Sequence, residues 1–195
     1  MPRLSVLIAT IPERRLQLRK LLAHITEMCE PFHGVVEVLT NDAPKDAMSI
    51  GAKRQAMIEQ ATGDYVCFVD DDDWVADTYI ADILKATESG PDCIGFRIEV
   101  HGLARRPQMA SASMRYGWAE KVDGFDYVRG IYHKTPVKRE HAIAIGFKDM
   151  RFAEDKDYSD RLAASGLLER EEYIDKALYI YRYKFQPINR KFGIK

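Results

Sequence analysis

At 195 residues, 46% hydrophobic and 30% charged, with 12 Gly and 8 Pro spread along its length, the chain can bury one sizeable core and has neither a disordered nor a fibrous composition. No run approaches the length of a membrane span, and the first apolar stretch is too short for a signal h-region, so the sequence reads as cytoplasmic. Three scattered cysteines, Cys29, Cys67 and Cys93, have no CxxC spacing and read as reduced, buried thiols.

The net charge of −1 is unevenly distributed: residues 1–128 carry 14 Lys+Arg against 20 Asp+Glu, residues 129–195 carry 15 against 10, and Arg182 to Lys195 hold no acid. In chain order, the unbroken apolar run Leu4 to Ala9 predicts a strand covered on both faces. Thr10 and Glu13 have capping-box spacing ahead of a helical stripe through Leu18, Leu21, Leu22 and Ile25. Val35 to Thr40 predicts a second strand, and Ser49 to Gly63 a capped helix with Lys53 and Arg54 in its first turns. Tyr65 to Val69 is a third, fully apolar strand, followed by a helix over about Asp77 to Ser89. Ile94 to Val100 alternates like a strand with one solvated face. Strand and helix thus alternate through the first hundred residues, which predicts an α/β chain with a largely parallel sheet flanked by helices. Beyond it, 102–118 reads as a loop or hairpin, Thr135-Pro136 as a helix start, Glu154 to Ala164 as a helix stopped by Gly166, and Glu172 to Tyr183 as extended chain.

Asp70-Asp71-Asp72-Asp73 directly follows the third strand. Adjacent carboxylates repel one another, and burying them unpaired is costly, so they must be solvated or neutralised by cations. In open α/β sheets ligands bind beyond the carboxyl ends of the strands, and oxygen-only donors suit Mg2+ or Mn2+ bridging to substrate phosphates.

These segments resemble the family 2 nucleotide-sugar glycosyltransferases of GT-A fold, a Rossmann-like single domain. Ser5 to Thr10 with Arg14 and Arg15 resembles the opening strand and its basic follow-up, and Asn41-Asp42 the acid after the second strand. Gly51-Ala52-Lys53-Arg54 through Tyr65 resembles the helix before the aspartates, Phe68 to Trp74 the DxD segment, and Phe152-Ala153-Glu154-Asp155 the late Glu-Asp motif. The resemblance implies a metal-dependent hexosyltransferase using a UDP-sugar, with 1–100 as donor and metal half and 101–195 as acceptor half. It implies donor contacts from Thr10, Arg14, Asp42, Lys53, Arg54, Asp70 and Asp71, a Mn2+ or Mg2+ ion on Asp72 and Asp70, and Asp155 as the general base of an inverting displacement. Glu154, His133, Lys184 and Arg190 are further candidates, Lys184 standing where the family often has a metal-binding His. The acceptor is expected to be a glycan or a hydroxymethyl-pyrimidine in DNA, the latter motivated by the basic tail. Two other readings compete: Asp71 and Asp73 also fit the Asp-x-Asp-x-Val pattern of haloacid-dehalogenase phosphatases, and a nucleotidyltransferase would need a similar metal site.

Overall fold

Apolar strands and amphipathic helices alternate along the first half of the chain, and the computed structural model, which describes residues 1–183, shows what they build. β1 (Leu4–Ala9), α1 (Arg15–Cys29), β2 (Val36–Asn41), α2 (Ile50–Gln60), β3 (Tyr65–Phe68), the short β4 (Trp74–Val75), α3 (Tyr79–Ala86) and β5 (Cys93–His101) follow one another. β6 (Gln108–Ala112), β7 (Ala119–Val122), β8 (Phe125–Arg129), β9 (Val137–Lys138), α4 (Arg139–Ile145), α5 (Glu154–Ala164) and β10 (Glu171–Arg182) complete the described residues. The strands form one sheet of order β2-β1-β3-β9-β5-β6-β8-β7, with β10 beside β5 and β4. The pairings β1–β2, β1–β3, β6–β8 and β5–β10 are parallel, so the central sheet is mostly parallel; β5–β6, the β7–β8 hairpin and the contacts of β9 and β4 are antiparallel.

Two layers of helix cover this sheet, and the alternation along β1 shows why it is apolar throughout. Leu4, Val6 and Ile8 pack with Leu21 and Ile25 of α1 and with Tyr79, Ile80 and Ile83 of α3. Leu7 and Ala9 face the other way, onto Met57 and Ile58 of α2 and Tyr158 and Leu162 of α5. Every residue of β1 is buried, as a strand sandwiched between helices must be. α2 comes very close to the segment ahead of α5. A Cβ on Gly51 would lie 1.9 Å from the Lys148 carbonyl oxygen, and the Gly51 N–H donates to the Met150 carbonyl at 3.0 Å.

Several local expectations change. The capping box at Thr10 does not form: the Thr10 hydroxyl donates to Asp71 at 2.6 Å, and a turn of 3-10 helix over Pro12–Arg14 precedes α1. Thr135-Pro136 does not open a helix. The Pro136 carbonyl accepts from Ile94 N at 2.9 Å, β9 follows, and α4 starts only at Arg139. The outer face of β5 is solvated only in part, with Gly95 buried and Arg97 and Glu99 half-buried. At Gly95 there is no room for a side chain, because a Cβ would lie 2.4 Å from a Glu171 carboxylate oxygen and 2.8 Å from the Tyr173 ring. Ser49 caps α2 as expected, accepting from Ala52 N at 3.0 Å, and α5 spans Glu154–Ala164 as expected.

Candidate active site

β3 ends beside the carboxyl end of β1, and the four aspartates turn there. Asp73 N donates to the Asp70 carbonyl at 3.1 Å, closing a reverse turn that points the four carboxylates in different directions. Asp70 receives Arg54 Nη2 and Lys134 Nζ, each at 3.0 Å, and His133 Nε2 at 3.3 Å. Asp71 turns back under β1 and accepts from Thr10 Oγ1 and Arg14 Nη1, both at 2.6 Å. Asp73, only 2% exposed, accepts from Lys134 Nζ at 2.6 Å, Tyr179 Oη at 2.9 Å and Arg182 N at 2.8 Å. Asp72 sits at the tip, a quarter exposed, with Arg14 Nη1 at 3.2 Å. The repulsion expected among four adjacent acids is therefore offset by cations and donors from four other parts of the chain.

These contacts fix the charge states. Burial pushes the Asp70 carboxyl up, but Lys134, Arg54 and His133 outweigh it and hold it well below the usual carboxylate range. Burial works against the Lys134 ammonium as well, yet Asp70 and Asp73 hold it above its ordinary value. Burial and the nearby Arg54 push the His133 imidazole down to about 4, against the pull of Asp70, so His133 is neutral at pH 7.

Two hollows flank the turn. The first, of about 290 Å³, is walled by Thr10, Arg14, Lys53, Asp71, Arg151 and Phe152 among others. The buried Lys53 Nζ donates to the Thr10 carbonyl at 2.6 Å and so fixes the loop after β1. Burial lowers the Lys53 ammonium, with Asp71 and Asp42 pulling the other way. Arg151 Nη1 donates to the Lys45 carbonyl at 2.6 Å, joining the loop after β2 to the segment before α5. A concave site with four cations, Arg14, Lys45, Lys53 and Arg151, and one buried acid suits an anionic, hydrogen-bonding ligand.

The second hollow, of about 240 Å³, has Asp70, His133, Lys134 and Asp155 on its polar side and Ile98, Val100, Ala110 and Trp118 on its apolar side. Asp155 lies in the first turn of α5, where the helix dipole favours an acid. Its neighbour Glu154 is nearly buried and accepts from Arg54 Nε at 3.2 Å, so one guanidinium spans Asp70 and Glu154. Burial, with Asp155 adding to it, raises the Glu154 carboxyl against the opposing Arg54. Ala153, just before them, has φ of 58°, a left-handed conformation rare for a residue with a Cβ, and it sets the angle at which α5 enters the site.

Of the residues singled out from sequence, Thr10, Arg14, Lys53 and Asp71 line the first hollow, and Arg54, Asp70, His133 and Asp155 line the second. Asp72 lies between them at the tip of the turn, and Glu154 is joined to them through Arg54. Asp42 is exposed after β2 and is not in either wall. Lys184 and Arg190 lie outside the described residues. Sequence reasoning missed Lys134, which neutralises Asp73, Tyr179, which donates to it, and Arg151 in the first hollow. Lys134 had one legible signal: four acids need cations, and it directly follows the candidate His133.

The sequence of residues 20–162 matches the family model of glycosyl transferase family 2. The chain belongs to this family. This family 2 chain also shares its fold with solved GT-A structures. It is similar to TarS 1-349 of S. aureus in complex with UDP-GlcNAc (TM-score 0.65, 16% identity, 93% of this chain and 59% of that one). It is also similar to the mannosyltransferase PcManGT of Pyrobaculum calidifontis in complex with GDP-Man and Mn2+ (TM-score 0.58, 14% identity, 95% and 58%). The chain thus spans less than two thirds of the length of either neighbour. No curated protein matches it significantly. Family membership displaces the phosphatase reading, and the geometry agrees: Asp71 and Asp73, its required pair, are both buried and face apart, Asp71 bonded to Thr10 and Arg14 and Asp73 to Lys134 and Tyr179. No helix among the described residues is long and apolar enough to cross a membrane.

Among the described residues no group of three or more His, Cys, Asp or Glu side chains is arranged to hold a metal ion. The donor set instead suits the mode in which a hard cation takes one or two carboxylates and completes its shell with substrate phosphates and water. Among the described residues Asp72, at the tip of the turn and part-exposed, is paired with one cation, Arg14, whereas Asp70 is held by two, Arg54 and Lys134, and by the neutral His133.

Proposed function

We propose that this chain transfers a hexosyl group from a UDP-sugar to a saccharide hydroxyl, with inversion at the anomeric carbon. One observation carries this reading: a single acidic turn separates a cation-lined hollow, holding Thr10, Arg14, Lys53 and Asp71, from a second hollow holding Asp155. The nucleotide occupies the first hollow, with Asp71 fixed by Thr10 and Arg14 as its buried acid and with Lys53 and Arg151 facing the ligand's negative charge. Residues 1–100 are then the donor half and the segment after them the acceptor half. The UDP complex of the TarS neighbour and the GDP-Man and Mn2+ complex of PcManGT support a nucleotide-sugar donor with a divalent ion.

In the second hollow Asp155 accepts the proton of the acceptor hydroxyl. The acceptor oxygen forms its bond to the anomeric carbon as the bond from that carbon to the diphosphate breaks, and the electron pair leaves with UDP. Arg54, held between Asp70 and Glu154, keeps the turn and the start of α5 in register, so that base and donor stay aligned. A Mn2+ or Mg2+ ion on Asp72 would supply Lewis-acid neutralisation of the leaving diphosphate.

Thermal melting with Mn2+ and a panel of nucleotides tests the donor site, because a ligand that binds only the folded state raises the midpoint. The expected result is a metal-dependent rise with UDP or a UDP-sugar that disappears in Asp72→Asn. The absence of any rise with any nucleotide would overturn the reading.

A further inference from the structure

The second hollow has three cationic side chains in its wall, Arg54, Lys134 and Arg129. Two of them are matched: Arg54 by Asp70 and Glu154, Lys134 by Asp70 and Asp73. Arg129, the last residue of β8, forms no ion pair among the described residues. Its hydrogen bonds all leave from Nη1, to the Val128 carbonyl at 2.7 Å and the Ala119 carbonyl at 3.3 Å. Its guanidinium lies over two rings, 4.7 Å from the Trp118 centroid and 5.6 Å from that of Tyr127. Both carbonyls and both rings hold the group still, yet among the described residues its Nε and Nη2 edge has no hydrogen-bond partner. That edge is the one that pairs side by side with the two oxygens of a carboxylate or phosphate.

Trp118 joins this cation to the reaction centre. Its indole N–H donates to Ser159 Oγ on α5 at 3.2 Å, one turn beyond Asp155, and it lines the same hollow. Gly130, next to Arg129, makes the close approach possible: a Cβ there would lie 3.2 Å from Ser159 Oγ. Asp155 and Arg129 thus line one and the same hollow, together with the apolar Ile98, Val100 and Ala110.

We infer that the acceptor is an anionic saccharide, whose carboxylate or phosphate is held by the free edge of Arg129 while its hydroxyl meets Asp155. This rests on the transferase reading for the role of the hollow, but the anion site can be tested without turnover. Ligand-observed NMR titrations would compare methyl β-D-glucuronide, glucose 6-phosphate and the neutral methyl β-D-glucoside on the full chain. The expected result is that at least one anionic probe binds about ten-fold more tightly than the glucoside, the affinity equivalent of one charge-assisted pair. The tighter of the two anions identifies the oxyanion. In Arg129→Gln the preference should fall to about two-fold or less, while Arg129→Lys, which keeps the charge but not the planar edge, should lie between. Equal affinity for charged and neutral probes, no detectable anion binding at millimolar concentration, or a preference that survives in Arg129→Gln would each overturn the inference. A chain that binds the anionic probes but shows no melting shift with UDP would keep the anion site and lose the transferase reading; a shift with UDP and no anion preference would do the reverse.

Discussion

The Lys134 ammonium lies 2.6 Å from a carboxylate oxygen of Asp73 and 3.0 Å from one of Asp70, so a single buried cation holds both ends of the acidic turn. Its position above the rings of Tyr179 and Tyr181, at 4.5 and 4.3 Å, adds cation–π contact. Removing one partner of a buried pair leaves the other charge uncompensated, whereas removing both does not. Lys134→Met should therefore lower stability by about 3–5 kcal/mol. Lys134→Met combined with Asp73→Asn should cost less than the two single changes added together. Urea unfolding of the four proteins of this cycle checks it, and strict additivity would refute the coupling.

Asp155→Asn keeps the shape of the side chain and removes its basicity. Turnover should fall by about 10²- to 10⁴-fold, while the UDP melting shift stays intact. Turnover within a few fold of the wild type in a folded variant would mean that Asp155 is not the base.

Gly51 is where α2 touches the chain leading to α5, and the atoms a Cβ would meet are backbone, which cannot swing away. Gly51→Ala should cost roughly 1–3 kcal/mol. Gly117, with nothing within 4 Å of its would-be Cβ, is the control, and Gly117→Ala should change the melting temperature little. Equal effects at the two sites would show that the helix can shift at no cost.

Asp92 gives the protein an acid-sensitive joint away from the active site. Burial disfavours its charged form, but Lys138 Nζ at 2.8 Å, the backbone N–H groups of Glu169 and Arg170 at 3.0 and 2.9 Å, and His141 at 3.4 Å outweigh it. The Asp92 carboxyl is thereby held well below the usual carboxylate range. A depressed carboxyl contributes stability that is complete above the unfolded value, near about 4, and is lost as pH falls below it. Melting between neutral pH and strong acid should fall more gently in Asp92→Asn than in the wild type, and parallel curves would remove Asp92 as the cause.

The legible part of the fold was the part with a repeating pattern. β1, β3, α2 and α5 announce themselves through unbroken apolar runs or through caps such as Ser49, and these elements carry Thr10, Arg54, the acidic turn and Asp155. The pairs Asp70–Lys134 and Glu154–Arg54 were not legible, because they join residues 64 and 100 positions apart by a topology that no local window contains. Thr10 shows the limit in miniature. Its spacing to Glu13 promised a local cap, and a buried acid 61 residues away took the hydroxyl instead.

The way β10 closes the acidic turn has a consequence for synthesis. Asp73 draws its donors from Lys134, Tyr179 and Arg182, so a growing chain that has released α3 from the ribosome still lacks every group that bonds this buried carboxylate. β5 likewise exposes the edge that β10 will later pair in parallel from Glu171 to Arg182. Until residue 182 emerges, the nascent protein carries a buried carboxylate short of two of its donors beside an open apolar strand edge, the combination that invites chaperone capture or aggregation.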